Sequence, residues 1–176
     1  STGLFGKANE IKNLILKDSY ITGGSCIGGI VGLGYRVENC HNENTTVISK
    51  EGNYWTIGGI VGQINNKIIN CSNTGTIIAN GKKVDNGNSY CGGVIGYSSN
   101  KNEVIISNCS NEGQIIGKGT AVGGIVGLNR GLATTQECKN IGEITGENKY
   151  TGGIVGFCQK ETVIKECKNI GEITGE

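Results

Sequence analysis

The sequence predicts an all-β protein: a right-handed parallel β-solenoid of about six coils, with roughly 30 residues and three short strands in each. Three observations lead there. A glycine-rich string recurs along the whole chain. Ile and Val together number 36, against 6 Leu and 4 Ala. Glycine (32 of 176 residues) and asparagine (21) punctuate the apolar runs, and proline is absent. β-branched side chains suit a pleated surface, and good helix formers are scarce here.

The repeat supplies the elements in order. Gly-Gly-Ile-Val-Gly occurs at 28–32, 58–62, 123–127 and 152–156, with Gly92-Gly93-Val94-Ile95-Gly96 as a conservative copy and Gly3-Leu4-Phe5-Gly6 as a shorter first copy. A second string follows, with Cys40, Cys71, Cys109, Cys138 and Cys167 at one position and Asn42, Asn73, Asn111, Asn140 and Asn169 two residues later. A third string, as in Gly75-Thr76-Ile77 and Gly142-Glu143-Ile144, closes the unit. Each string reads as one strand that pairs with its counterpart a coil away, at about 4.8 Å. Fixed self-similarity of this length marks a repeat architecture in which every coil buries its neighbours.

The columns give the expected interior. Val37, Ile68, Ile106, Thr135 and Ile164 stand three residues before the Cys and read as inward. The Asn column reads as a ladder of amides bonded up and down the stack. Asn44, Gly75, Gly113, Gly142 and Gly171 read as a corner in left-handed backbone, which Asn and Gly tolerate. The excess in the longest unit, between Ala79 and Tyr90, reads as an external loop.

Composition excludes several classes. Collagen needs a Gly-X-Y period and proline. A net charge of +1 offers no basic stripe for nucleic acid. No apolar run is long enough to cross a bilayer as a helix. The chain opens at Ser1 without a signal-like segment, so it is read as processed, or as part of something longer.

Gly3-Leu4-Phe5-Gly6 matches the Gly-Leu-X-Gly signature of the GLUG repeat. The order of Gly-Gly-Ile-Val-Gly, Asn-Cys-X-Asn and Gly-X-Ile resembles the longer consensus of that family over essentially residues 1–176, a single repeat domain. The resemblance implies a stalk or adhesive module of large bacterial surface or secreted proteins, hence an extracellular place. It carries over no catalytic residue and no cofactor.

Eight cysteines in a secreted chain suggest disulfides. The columns favour free buried thiols. Leu14 takes the Cys slot in the first unit, and free Cys behaves as a small hydrophobe. A bridge between stacked Cys remains open by Cα distance, although its dihedral is demanding. Zinc lacks the paired C-x-x-C spacing.

Catalytic chemistry is thin. His41, the sole histidine, neighbours Cys40, and adjacent strand residues point to opposite faces. There is no H-E-x-x-H, and the glycine string lacks the lysine of a phosphate loop. The stacks Glu137 over Glu166 and Glu143 over Glu172 read as solvated ladders. We therefore expect no enzyme, no catalytic or metal residue and no cofactor. The aromatics Tyr54, Trp55, Tyr90 and Tyr150 are the candidate contacts for a glycan or partner, with simple cover of the glycine-rich strand as the plainer reading.

Three functions follow. The first is a non-catalytic structural or adhesive module meeting a host or matrix protein or glycan. The second is a filament subunit that stacks end to end through uncapped strand edges. The third is a β-helix that binds or degrades glycans. Nucleic-acid partners and membrane insertion are not expected.

Overall fold

The computed structural model describes residues 1–52, 54–80, 88–99, 103–147, 149–159 and 161–176, with Tyr54 described by its backbone alone. Each short run of β-branched residues pairs in parallel with the matching run one coil away, so three sheets run the length of the stack. The described residues contain no helix. The first sheet holds five strands, among them Cys26–Gly28, Tyr54–Gly58 and Tyr150–Gly152. The second is the widest, with 13 strands. The third holds six, from Tyr20–Gly23 to Ile173–Gly175. The result is a parallel β-solenoid of about five turns, close to the six expected. The missing part belongs to the first coil, which meets the first sheet only through a Thr2–Ile27 bridge.

The middle run differs from the single short strand expected. It is continuous over 13 residues in Phe5–Lys17 and Val31–Glu43. Later coils break it into pieces, as in Ile95–Ser98, Val104–Ser107 and Ser110–Asn111. In every coil, unbroken or not, the residue before the Cys-column position bends the backbone. Asn13, Asn39, Asn70, Asn108, Glu137 and Glu166 all sit in left-handed backbone, with φ between 51° and 57°. This bend turns the chain toward the third sheet.

That finding corrects the expected corner. Asn44 does have φ 50°, but the column of Gly75, Gly113, Gly142 and Gly171 does not follow it. Residue 47 pairs with 77 while residue 42 pairs with 73, so this coil carries one extra residue between them. Thr45, not Asn44, lies against Gly75, and a Cβ on Gly75 would collide with the Thr45 carbonyl. Glycine is needed there for close backbone approach rather than for a left-handed φ.

Two apolar clusters fill the coil. One gathers Ile30, Val31, Val37, Cys40 and their column mates. The other gathers Ile27, Val47, Trp55, Ile57 and theirs. The column Val37–Ile68–Ile106–Thr135 is in register and fully buried, ending at the half-exposed Ile164 of the last coil. Between the clusters the Asn column meets the second glycine of each Gly-Gly pair. A Cβ on Gly124 would lie 2.6 Å from the Asn140 Cγ. The Gly-Gly corner thus makes room for the amides, and the pinch divides the core. The insertion expected between Ala79 and Tyr90 falls largely at 81–87, outside the described residues.

Candidate functional site

The strongest organised feature is a set of ladders parallel to the solenoid axis. Asn42 donates its side-chain amide to the Oδ1 of Asn73, Asn73 to Asn111, Asn111 to Asn140 and Asn140 to Asn169, each at 2.8 Å. The second amide hydrogen of Asn73, Asn111, Asn140 and Asn169 goes to the carbonyl two residues on, at 2.8–2.9 Å. Asn42 instead reaches the Gly59 carbonyl at 3.1 Å. Asn42, Asn73, Asn111 and Asn140 are fully buried. Leu16 occupies the slot beneath Asn42, which leaves the Asn42 Oδ1 buried without a donor among the described residues.

The Cys column runs beside it, inside the first cluster. Cys40, Cys71, Cys109 and Cys138 are at most 1% exposed, and Cys167 is half-buried at the last coil. Each thiol lies 3.1–3.3 Å from the carbonyl oxygen two residues back in the chain. The thiols of Cys71, Cys109, Cys138 and Cys167 also lie 3.6–3.9 Å from a carbonyl oxygen of the coil before. The neighbouring Cys71 thiol, followed by burial, raises the Cys40 thiol above its ordinary range, and Cys109 is raised in the same way between Cys138 and Cys71. Burial alone pushes Cys91 up. All eight cysteines are free.

A groove of about 440 Å³ opens over this column. One wall is a second, exposed asparagine ladder. Asn39 donates to Asn13 at 2.7 Å, Asn70 to Asn39 at 3.1 Å and Asn108 to Asn70 at 3.2 Å. The other wall carries His41, Ser72, Ser110 and Lys139 in register. His41 places Nδ1 2.7 Å from the Ser72 hydroxyl and Nε2 3.2 Å from the Asn39 Oδ1. It lies in the groove while Cys40 lies in the core. Sequence reasoning missed the outer ladder, although the recurring Asn before Cys was its signal.

The aromatic candidates are not brought together. Trp55 is 2% exposed and packs in the second cluster, so it offers no surface contact. It shares the inward face of its strand with Ile57, two residues on, which could have revealed its place. The side chain of Tyr54 lies outside the described residues. Tyr90 and Tyr150 occupy one outward column, two coils apart. Tyr90 stacks on Tyr97 with centroids 5.9 Å apart, and its hydroxyl donates to the Asn88 Oδ1 at 3.0 Å. Tyr150, 39% exposed, stacks on Phe157 at 4.6 Å. Tyr97 and Phe157 both stand five residues after the first glycine of their string, a match that spacing alone could have exposed.

Among the described residues, no group of three or more His, Cys, Asp or Glu side chains is gathered to hold a metal ion. Glu137 lies over Glu166 and Glu143 over Glu172, and Glu143 accepts a bond from Gln114 at 3.3 Å.

Stacked parallel coils, axial ladders and sheets without helices define the class: a β-solenoid repeat protein. The GLUG motif model matches residues 23–48 and 53–78. These are the coils built on Gly28–Gly32 and Gly58–Gly62, and the later coils keep their register to them. No curated protein and no solved structure matches the chain.

Proposed function

We propose that the chain is a non-catalytic structural and adhesive segment of a bacterial cell-surface or secreted protein. It holds binding surfaces apart on a stiff rod and meets a host or matrix protein or glycan along its side faces. The observation that supports this is the unbroken buried Asn ladder from Asn42 to Asn169. It commits one position in each of five coils, buried in four of them, to holding coil on coil. Such a column serves rigidity, since each amide is both donor and acceptor for its neighbours.

Beads coated with the purified chain are the direct test. Retention on a panel of matrix proteins and glycans above uncoated beads is the expected result. Failure across the panel removes the adhesive half of the reading. Single-molecule pulling along the axis then decides the structural half, where high-force unfolding is expected.

A second reading, end-to-end stacking, draws on the last coil. Ile164 and Ile173 are 46% and 43% exposed, whereas Ile106 and Ile144 in the same columns are fully buried. A further coil from a second copy would cover them. Negative-stain microscopy over a concentration series tests this: uniform fibres support self-assembly, and short rods at every concentration exclude it.

A further inference from the structure

We propose that the column Cys40, Cys71, Cys109, Cys138 and Cys167 is a linear binding site for soft monovalent cations, with Cu(I) as the natural representative. One ion sits between each successive pair of sulfurs, so the column takes at most four. The inference is independent of the adhesive reading.

The ligand set selects the metal class. Five thiols stand in register through five coils, and soft thiolates favour Cu(I) over hard cations. The geometry selects two-coordination. Zinc needs four converging donors, and no such cluster exists among the described residues. A parallel stack instead offers sulfurs on a line, spaced by the coil repeat of about 4.8 Å. Two metal–sulfur bonds, each taken at the zinc–thiolate length of about 2.3 Å, span about 4.6 Å end to end. A disulfide fits less well, because it needs Cβ atoms about 3.5–4.5 Å apart, and stacked Cβ atoms keep nearly the full coil spacing.

Access and charge are also compatible. The half-buried Cys167 is the accessible end of the column, and the thiols of Cys40, Cys71, Cys109 and Cys138 lie buried behind it. Binding is an exchange of protons for metal. For an isolated pair, two S–H bonds break, two S–Cu bonds form and two protons leave to water. In a filled column five protons leave and four cations enter, so the whole buried string carries one net negative charge. No electrons are transferred. The same exchange with Ag(I) makes a redox-inert probe.

The test is anaerobic titration of the reduced chain with Cu(I), and separately Ag(I), against a chromophoric Cu(I) chelator. Two to four ions retained per chain are expected, with two sulfur neighbours per metal by X-ray absorption. Cys71→Ala with Cys138→Ala breaks all four successive pairs, since Cys40, Cys109 and Cys167 are then isolated. Retention should fall to background. A second variant, with Cys26, Cys91 and Cys158 changed to Ala, leaves the column whole and should bind as the parent does. Circular dichroism on both variants checks the fold. Should the first variant not fold, Cys167→Ala alone serves, because it removes one pair and should lower the limiting stoichiometry by one. No retention by the parent overturns the proposal, as does undiminished binding in the variants lacking pairs. Three or four sulfurs per metal, or a mass loss from disulfide formation in place of metal uptake, also overturns it.

Discussion

Asn73 donates to Asn111 across one coil at 2.8 Å while its other amide hydrogen closes on the Gly75 carbonyl at 2.9 Å. One side chain thus ties the stack axially and pins its own turn. Removing a link leaves its neighbours buried and unpaired. Asn111→Ala strips the acceptor from Asn73 and the donor from Asn140 and Gly113. At about 1–3 kcal/mol for a buried unpaired group, the loss should be at least about 2 kcal/mol. Asn39→Gly, which keeps the left-handed φ of 51° and removes the bonds of the exposed ladder, should cost under about 1 kcal/mol because water replaces the partner. Urea denaturation of both variants measures the contrast, and equal losses would contradict it.

The Gly-Gly corner depends on the same ladder. A Cβ on Gly59 would collide with the Asn73 side chain and the Gly93 carbonyl, whereas one on Gly24 meets nothing within 4 Å. Gly59→Ala should therefore destabilise by about 2–3 kcal/mol or more, as overpacking against backbone does. Gly24→Ala should be neutral, or stabilising by up to about 1 kcal/mol through the unfolded chain. Thermal melts of the pair decide it.

Trp55, the sole tryptophan, reports on the second cluster. At 2% exposure its emission should be blue-shifted and weakly quenched by acrylamide, then shift red as the chain unfolds. Trp55→Ala should cost about 3–5 kcal/mol as a core truncation. Strong quenching in the native state would place the ring outside the core.

The sequence carried the fold in its columns because a parallel in-register stack puts the same chemical demand on every coil. Ile and Val at the position of Val37 and Ile68 read as inward, and they are. Leu14 in the Cys slot aligned correctly with Cys40. What escaped was anything that breaks the column. One extra residue before Val47 moved Thr45 into the place expected for Asn44, and counting residues from Cys40 cannot detect where along a turn an insertion is absorbed. Trp55 escaped because its large aromatic ring read as a surface contact, while alternation with Ile57 is the stronger rule. The stacking of Tyr90 on Tyr97 joins two sheets, and no single-strand pattern reports a contact across a corner.

Charge on the outer face of the second sheet predicts an acid limb. Lys67 pairs with Glu38, holding that carboxyl below its ordinary value of 4.5, and Lys12 does the same for Glu10 at 2.9 Å. A carboxyl lowered in the folded state binds protons more readily when unfolded, so its contribution is present above about pH 4.5 and disappears as pH falls through the lowered value. Lys67→Met removes the principal cause for Glu38. Its melting temperature should lie closer to the parent's at pH 3 than at pH 7. A gap that is the same at both pH values would show that the pair does not couple to folding.

The left-handed bend before each Cys offers a gain in stability. Asn fills it at Asn13, Asn39, Asn70 and Asn108, but Glu137 and Glu166 occupy it with φ 54° and 55°. Asn tolerates this backbone better than Glu, because its short side chain bonds locally. Residue 137 also stands one coil beyond Asn108 in the exposed ladder, where each Asn donates to the one before it. Glu137→Asn should therefore relieve strain and add a link to the Asn108 Oδ1. The two effects together should stabilise by about 0.5–1.5 kcal/mol, the range of one relieved backbone position or one net hydrogen bond. Glu137→Gly relieves only the backbone, so it separates the two contributions. If the Asn variant melts no higher than the Gly variant, the ladder extension contributes nothing and backbone preference alone sets the choice at this bend.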